Sequence, residues 1–124
     1  MSTEQLIGTW KLVDFSLTGA DGKTVEDRAR WTGGYLIYTA DGYMSAGMSF
    51  PDDDGKPDAM FYCGPFDALD DRNIHHIEIS NRADLIGTDQ VRLRRLEGGR
   101  LILTASPSIA GGPGSTADIV WERA

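Results

Sequence analysis

Two adjacent histidines, His75 and His76, interrupt an otherwise apolar run, Ile74-His75-His76-Ile77-Glu78-Ile79-Ser80. Side chains alternate along a strand, so His75 shares a face with Ile77 and Ile79 while His76 shares the other with Glu78 and Ser80. The apolar phase puts His75 inside and His76 outside. A neutral imidazole inside a pocket could take a proton from an acidic carbon or a phenol near neutral pH. A hydroxyl from Tyr62 or Tyr38 could then donate to the developing oxyanion. No spacing demands that chemistry, and a lone histidine on an apolar face is more often a satisfied core residue. His76 with Glu78 reads as an exposed strand pair. Arg92 is the other charged candidate, because its planar fork matches a carboxylate, enolate or phenolate. Its strand is ambiguous: Val91, Leu93 and Arg95 share one side, and Gln90, Arg92, Arg94 and Leu96 share the other. Hydrophobic phase alone turns Arg92 to solvent.

Metal and cofactor chemistry find little support. Neighbouring histidines on a strand face opposite ways and cannot both reach one ion. The single cysteine, Cys63, adds a ligand only on paper. Asp52-Asp53-Asp54-Gly55 lacks the alternating ligands of a calcium loop, since Phe50 and Phe61 would fall at its first and last ligand positions; it reads as a solvated loop. There is no nucleophile elbow, phosphate-cradling glycine loop or dinucleotide fingerprint. No metal and no cofactor is expected. Arg92, Arg94 and Arg95 form a basic run whose ordinary role is pairing with neighbouring carboxylates.

These side chains need a scaffold, and 124 residues (13.5 kDa) suffice for one domain, read as spanning 1–124. With 40% hydrophobic and 9% aromatic residues, the composition is that of a folded chain. The net charge of −7 argues against nucleic acid and anionic membranes as partners. One cysteine cannot form an intrachain disulfide, the apolar runs fall far short of the ~20 residues of a membrane span, and no leader pattern opens the chain. The expected compartment is the cytoplasm. Asp21-Gly22, Asp41-Gly42 and Gly98-Gly99 suit tight hairpins; 51–57, 70–73 and 106–115 are further polar or Gly/Pro-rich connections. Between them lie strands at 8–17, 34–39, 43–50, 60–68, 74–80, 89–96, 101–105 and 117–122. Such a series is an antiparallel meander that closes as a barrel or packs as a sandwich. Ser2 and Gln5 could cap one helical turn ending at Gly8.

The chain resembles the lipocalin-like domain proteins of bacteria and fungi, small members of the calycin group. The resemblance is carried by Leu6-Ile7-Gly8-Thr9-Trp10-Lys11-Leu12-Val13 and by Leu36-Ile37-Tyr38-Thr39-Ala40-Asp41-Gly42-Tyr43-Met44-Ser45. It continues in Tyr62-Cys63-Gly64, His75-His76-Ile77-Glu78, Gly87-Thr88-Asp89-Gln90-Val91-Arg92, Leu101-Ile102-Leu103-Thr104 and Val120-Trp121-Glu122-Arg123. These pieces stand in the family's order and cover nearly the whole chain. The resemblance implies an all-β, up-and-down antiparallel barrel of about eight strands, with an apolar interior open at one end. It also implies that Trp10 packs at the closed end beside a short N-terminal helical turn. Residues 25–31, Val25-Glu26-Asp27-Arg28-Ala29-Arg30-Trp31, carry more charge than the family's usual entrance loop. Barrels of this group include carriers and enzymes, and the fold does not choose between them.

A barrel of this size holds side chains or one small ligand. The interior candidates are Tyr38, Met44, Met48, Phe50, Tyr62, Phe66, His75, Gln90 and Arg92, with Trp31 at the mouth. The family placement puts Arg92 in the pocket against the hydrophobic phase, and both placements stay open. The function expected is binding of a small apolar or aromatic molecule, with a carboxylate or phenolate end for Arg92. The alternative is a cofactor-free isomerase, cyclase or lyase using His75 as base and Tyr62 as electrophile. A packed barrel acting through a dimer face is a third reading, and pairing of edge strands would allow a homodimer.

Overall fold

Turns fall where the sequence places Asp-Gly and Gly-Gly. Gly98 and Gly99 both hold positive φ, 58° and 81°, the backbone of a tight primed turn that L side chains resist. A computed structural model describes residues 3–23, 31–106 and 114–124. A 3-10 turn at Thr3–Gln5 precedes β1 (Gly8–Thr18), β2 (Gly33–Tyr38), β3 (Tyr43–Pro51), β4 (Pro57–Ala68) and β5 (Arg72–His76). Then come β6 (Ile79–Ser80), a second 3-10 turn at Ala83–Leu85, β7 (Asp89–Glu97), β8 (Arg100–Ala105) and β9 (Thr116–Arg123). Neighbours pair antiparallel in the order β3-β2-β1-β9-β8-β7-β5-β4, and β3 pairs with β4 to close the ring. The fold is therefore a closed eight-stranded antiparallel barrel, with the short β6 attached to β4. Closure pairs both sides of each of the eight ring strands and leaves the short β6 bonded to β4 alone. The Ser2 half of the expected cap, residues 25–30 and most of the 106–115 loop lie outside the described residues.

Alternation fills the interior. Met44 and Met48 of β3 are buried and Ala46 half-buried, while Ser45 and Ser49 face out. Trp10 packs at one end, where its indole N–H donates to the Leu6 carbonyl at 2.8 Å and the Arg123 guanidinium lies 4.0 Å over its ring. No helix among the described residues is long and apolar enough to cross a membrane.

The expected strand 74–80 is broken. Phe66 pairs with His75 and Cys63 with Ile79, so Gly64 and Pro65 lie opposite His76, Ile77 and Glu78. This is a β-bulge, and the extra residue reverses the facing of the strand beyond it. His75 and Ile77 remain inside, but Ile79, expected beside them, is 61% exposed. The backbones approach so closely here that a Cβ on Gly64 would stand 1.9 Å from the His76 carbonyl oxygen.

Candidate ligand-binding site

Strands β5 and β7 supply the polar interior. His75 is 1% exposed, and each ring nitrogen meets a tyrosine: Nε2 lies 2.7 Å from the Tyr38 hydroxyl and Nδ1 lies 3.0 Å from that of Tyr62. Burial, with the Arg92 charge as a second cause, pushes the His75 pKa down to about 3. The ring is neutral at physiological pH. Burial likewise raises the Tyr38 hydroxyl above its ordinary range. Asn73 donates from Nδ2 to Tyr38 at 3.0 Å, and its own carbonyl accepts from the Arg94 guanidinium.

Arg92 stands opposite Asn73 across the β5–β7 pair and is 4% exposed, whereas Val91 and Leu93 are 42% and 44% exposed. The hydrophobic phase of this strand is thus inverted. A guanidinium in such a place normally has a carboxylate beside it. Arg92 has none among the described residues: one nitrogen donates to the Val91 carbonyl at 3.1 Å and lies a long 3.5 Å from Gln90 Oε1. The expectation that the basic run pairs with carboxylates holds for Arg95, which meets Glu97 at 3.1 Å and Asp118 at 3.9 Å. Arg94 instead reaches Asn73 and the carbonyls of Leu69, Asp70 and Arg72.

An interior cavity of about 740 Å³ opens beside these groups. Of the candidates named from sequence, Trp31, Met48, Phe50, Tyr62, His75 and Arg92 line it. Tyr38, Met44 and Phe66 do not; they belong to the core, where Tyr38 and Phe66 adjoin His75 with their own ring centroids 4.6 Å apart. Gln90 is also absent from the wall, with its amide nitrogen turned to Thr88 Oγ1 at 3.1 Å. Trp31 joins Phe15 at 5.3 Å and Phe50 at 5.1 Å in an aromatic cluster on the wall. Sequence reading missed Phe15, Leu36, Met60, Leu103, Ile119 and Trp121 on the lining, all apolar side chains of the kind that also fill cores. It also missed Asp52, Asp53, Asp58 and Arg82. The acidic loop read as merely solvated thus contributes to the cavity wall.

His76 faces out, but its partner is not Glu78. Its ring bridges Asp89 on β7 (Nδ1, 2.7 Å) and Asp67 on β4 (Nε2, 2.8 Å), tying both neighbours to β5. Those hydrogen bonds, that to Asp67 first, raise its pKa above the ordinary 6.5. A folded-state pKa above the unfolded one means stabilisation that is fully present below the unfolded value and fades as pH rises through the folded value. The side chain is 34% exposed, so the effect is that of a surface pair, about 0.5–1 kcal/mol. Thermal melts followed by circular dichroism should show wild-type Tm falling about 2–4 °C more between pH 6 and pH 8 than that of His76→Gln. Equal slopes would mean that the bridge contributes nothing.

A closed eight-stranded antiparallel barrel around an interior cavity is a lipocalin-like architecture. Residues 7–55 and 53–124 match the profile of the lipocalin-like domain, and the chain belongs to that family. A search of curated proteins found no match. Among solved structures, a lipocalin-like protein from Bacteroides uniformis is 15% identical over 97% of this chain and 99% of its own, with a TM-score of 0.52. A redesigned β-barrel is 16% identical over 98% and 93%, TM-score 0.52. The fluorescent protein UnaG is 11% identical over 99% and 100%, TM-score 0.50. At these identities the likeness is one of fold.

Proposed function

We propose that this barrel, as a single-domain cytoplasmic protein, binds a small, mostly apolar organic molecule in its interior. Arg92 and Tyr62 hold an oxygen-bearing end of the molecule, a carboxylate or phenolate, while Trp31, Met48 and Phe50 pack against its body. The observation that carries this reading is Arg92: a buried cation with no carboxylate partner among the described residues, on the wall of a ligand-sized cavity. Tyr38, Met44, Phe66 and Gln90 act from behind the wall, holding His75 and Arg92 in place.

The enzyme alternative gains no such observation. Both ring nitrogens of His75 are engaged by tyrosines, and a pKa of about 3 makes the imidazole a weak base. Native and then denaturing mass spectrometry of freshly purified protein should reveal a co-purified acidic molecule. Titration with anilinonaphthalene sulfonate, an apolar aromatic anion, should show saturable one-to-one binding in the micromolar range. Absence of both overturns the reading.

A further inference from the structure

Asn73, Arg94 and Tyr38 do not touch the cavity, yet they determine what faces it. Arginine can only donate, so the Arg94 contact fixes the Asn73 carbonyl toward the guanidinium and its NH2 toward Tyr38. The Tyr38 oxygen therefore already accepts one hydrogen bond. Were His75 Nε2 also to donate to it, the hydroxyl proton of a tyrosine 1% exposed would have no acceptor among the described residues. The arrangement that strands no proton away from the cavity has Tyr38 donating to Nε2 and His75 donating from Nδ1 to Tyr62. The two lengths agree with this direction: 2.7 Å suits a hydroxyl donor and 3.0 Å an N–H donor. Tyr62 Oη has no second partner among the described residues, and Tyr62 lines the cavity beside His75. Its proton is left for whatever occupies the cavity.

We propose that Arg94, Asn73 and Tyr38 form a one-way hydrogen-bond relay through His75 that makes the Tyr62 hydroxyl a fixed donor toward the cavity. The site thereby selects molecules whose polar end is acceptor-only. Arg92 adds a second group that cannot accept. A carboxylate or phenolate satisfies both; an alcohol or amine of the same shape brings a proton that neither can receive. This inference rests on the reading of the cavity as a small-molecule site and adds Asn73 and Arg94 as positioning residues for its specificity.

Asn73→Asp tests the relay with almost no change of shape. A carboxylate accepts from Arg94 and from Tyr38 alike, so Tyr38 turns to it, His75 donates from Nε2, and Tyr62 donates to Nδ1. The Tyr62 oxygen then faces the cavity as an acceptor. Long-range nitrogen–proton spectra of the imidazoles, with His76→Gln supplying the assignment, should show the Nδ1–H tautomer of His75 in the wild type and Nε2–H in Asn73→Asp. The ratio of affinities for naphthoate and naphthylmethanol should fall about tenfold in Asn73→Asp, the scale of one buried hydrogen bond to a charged group. Tyr62→Phe should lose the same preference while keeping the Nδ1–H tautomer, and it decides the matter if Asn73→Asp fails to fold. An Nε2–H tautomer in the wild type, or an undiminished preference in Tyr62→Phe, overturns the relay as the source of selectivity. If neither probe binds saturably, the ligand reading itself falls and the selectivity claim with it, whatever the tautomer.

Discussion

Replacing Arg92 with methionine should make the protein more stable and a worse binder of anions. Methionine keeps the unbranched apolar stem of arginine and stops short of the guanidinium fork, so the wall of the cavity stays lined where the stem lies. It removes a guanidinium that is 4% exposed and has no carboxylate partner among the described residues. Taking an uncompensated charge out of an interior relieves desolvation, and a gain of about 1–2 kcal/mol in unfolding free energy is the expected result. The Arg92 charge also lowers the His75 pKa, but burial is the larger cause, so His75 stays neutral and the relay keeps its direction. Binding moves the other way. Truncating one partner of a buried, hydrogen-bonded charge pair costs about 2–4 kcal/mol, or roughly 30- to 1000-fold in Kd for anilinonaphthalene sulfonate or naphthoate. Naphthylmethanol, which carries no charge, should lose far less. The opposite signs are what mark a residue kept for ligand and not for fold. A destabilised Arg92→Met with unchanged anion affinity would show the guanidinium to be a structural element.

The same arginine shows where sequence reading reaches its limit. Hairpins are legible because Asp-Gly and Gly-Gly report backbone requirements that act locally, and β3 is legible because Met44, Ala46 and Met48 alternate cleanly with serine and glycine. On β7 the alternation is present but inverted: Val91 and Leu93 face solvent while Arg92 faces the cavity. Periodicity finds two faces and then assigns the apolar one to the interior, a rule that fails where the interior holds a cavity with polar groups on its wall. Family resemblance, which carries position without regard to polarity, points the other way. In the sequence Asn73 reads as a turn residue and Arg94 as part of a charged run, since their contacts with each other and with Tyr38 join positions 21 and 35 residues apart. No local pattern encodes such pairs. The bulge after His76 does leave a trace, because Gly64-Pro65 in mid-strand gives up both a side chain and a ladder donor.

That trace leads to the largest stability effect expected here. Gly64 has an ordinary backbone conformation, with no positive φ, so its identity is a matter of space and not of torsion. An added Cβ would lie 1.9 Å from the His76 carbonyl oxygen and 3.1 Å from the Glu78 amide nitrogen. Both atoms are backbone and cannot rotate away like a side chain. Glu78 is held by its hydrogen bond to the Cys63 carbonyl at 3.0 Å, and Ile77 by its bond to Thr88 at 2.9 Å. To admit one methyl group, β4 must part from the bulge, losing the Glu78–Cys63 bond and disturbing His75 and Ile77 on the interior side. Gly64→Ala, at a buried strand position, should therefore cost about 3 kcal/mol or more, at the upper end of what single substitutions cost. In denaturant titrations it should lower the midpoint without changing the slope if the barrel survives. Gly47→Ala supplies the control, being a β3 glycine whose added Cβ would meet only the Phe61 Cβ at 3.8 Å; it should cost well under 1 kcal/mol. If the two variants were equally stable, the close approach at the bulge would not be what reserves position 64 for glycine. If Gly64→Ala folds at all, the displaced bulge should also weaken anion binding, because Tyr62 and His75 flank it on β4 and β5 and must stay 3.0 Å apart for Tyr62 to present its proton.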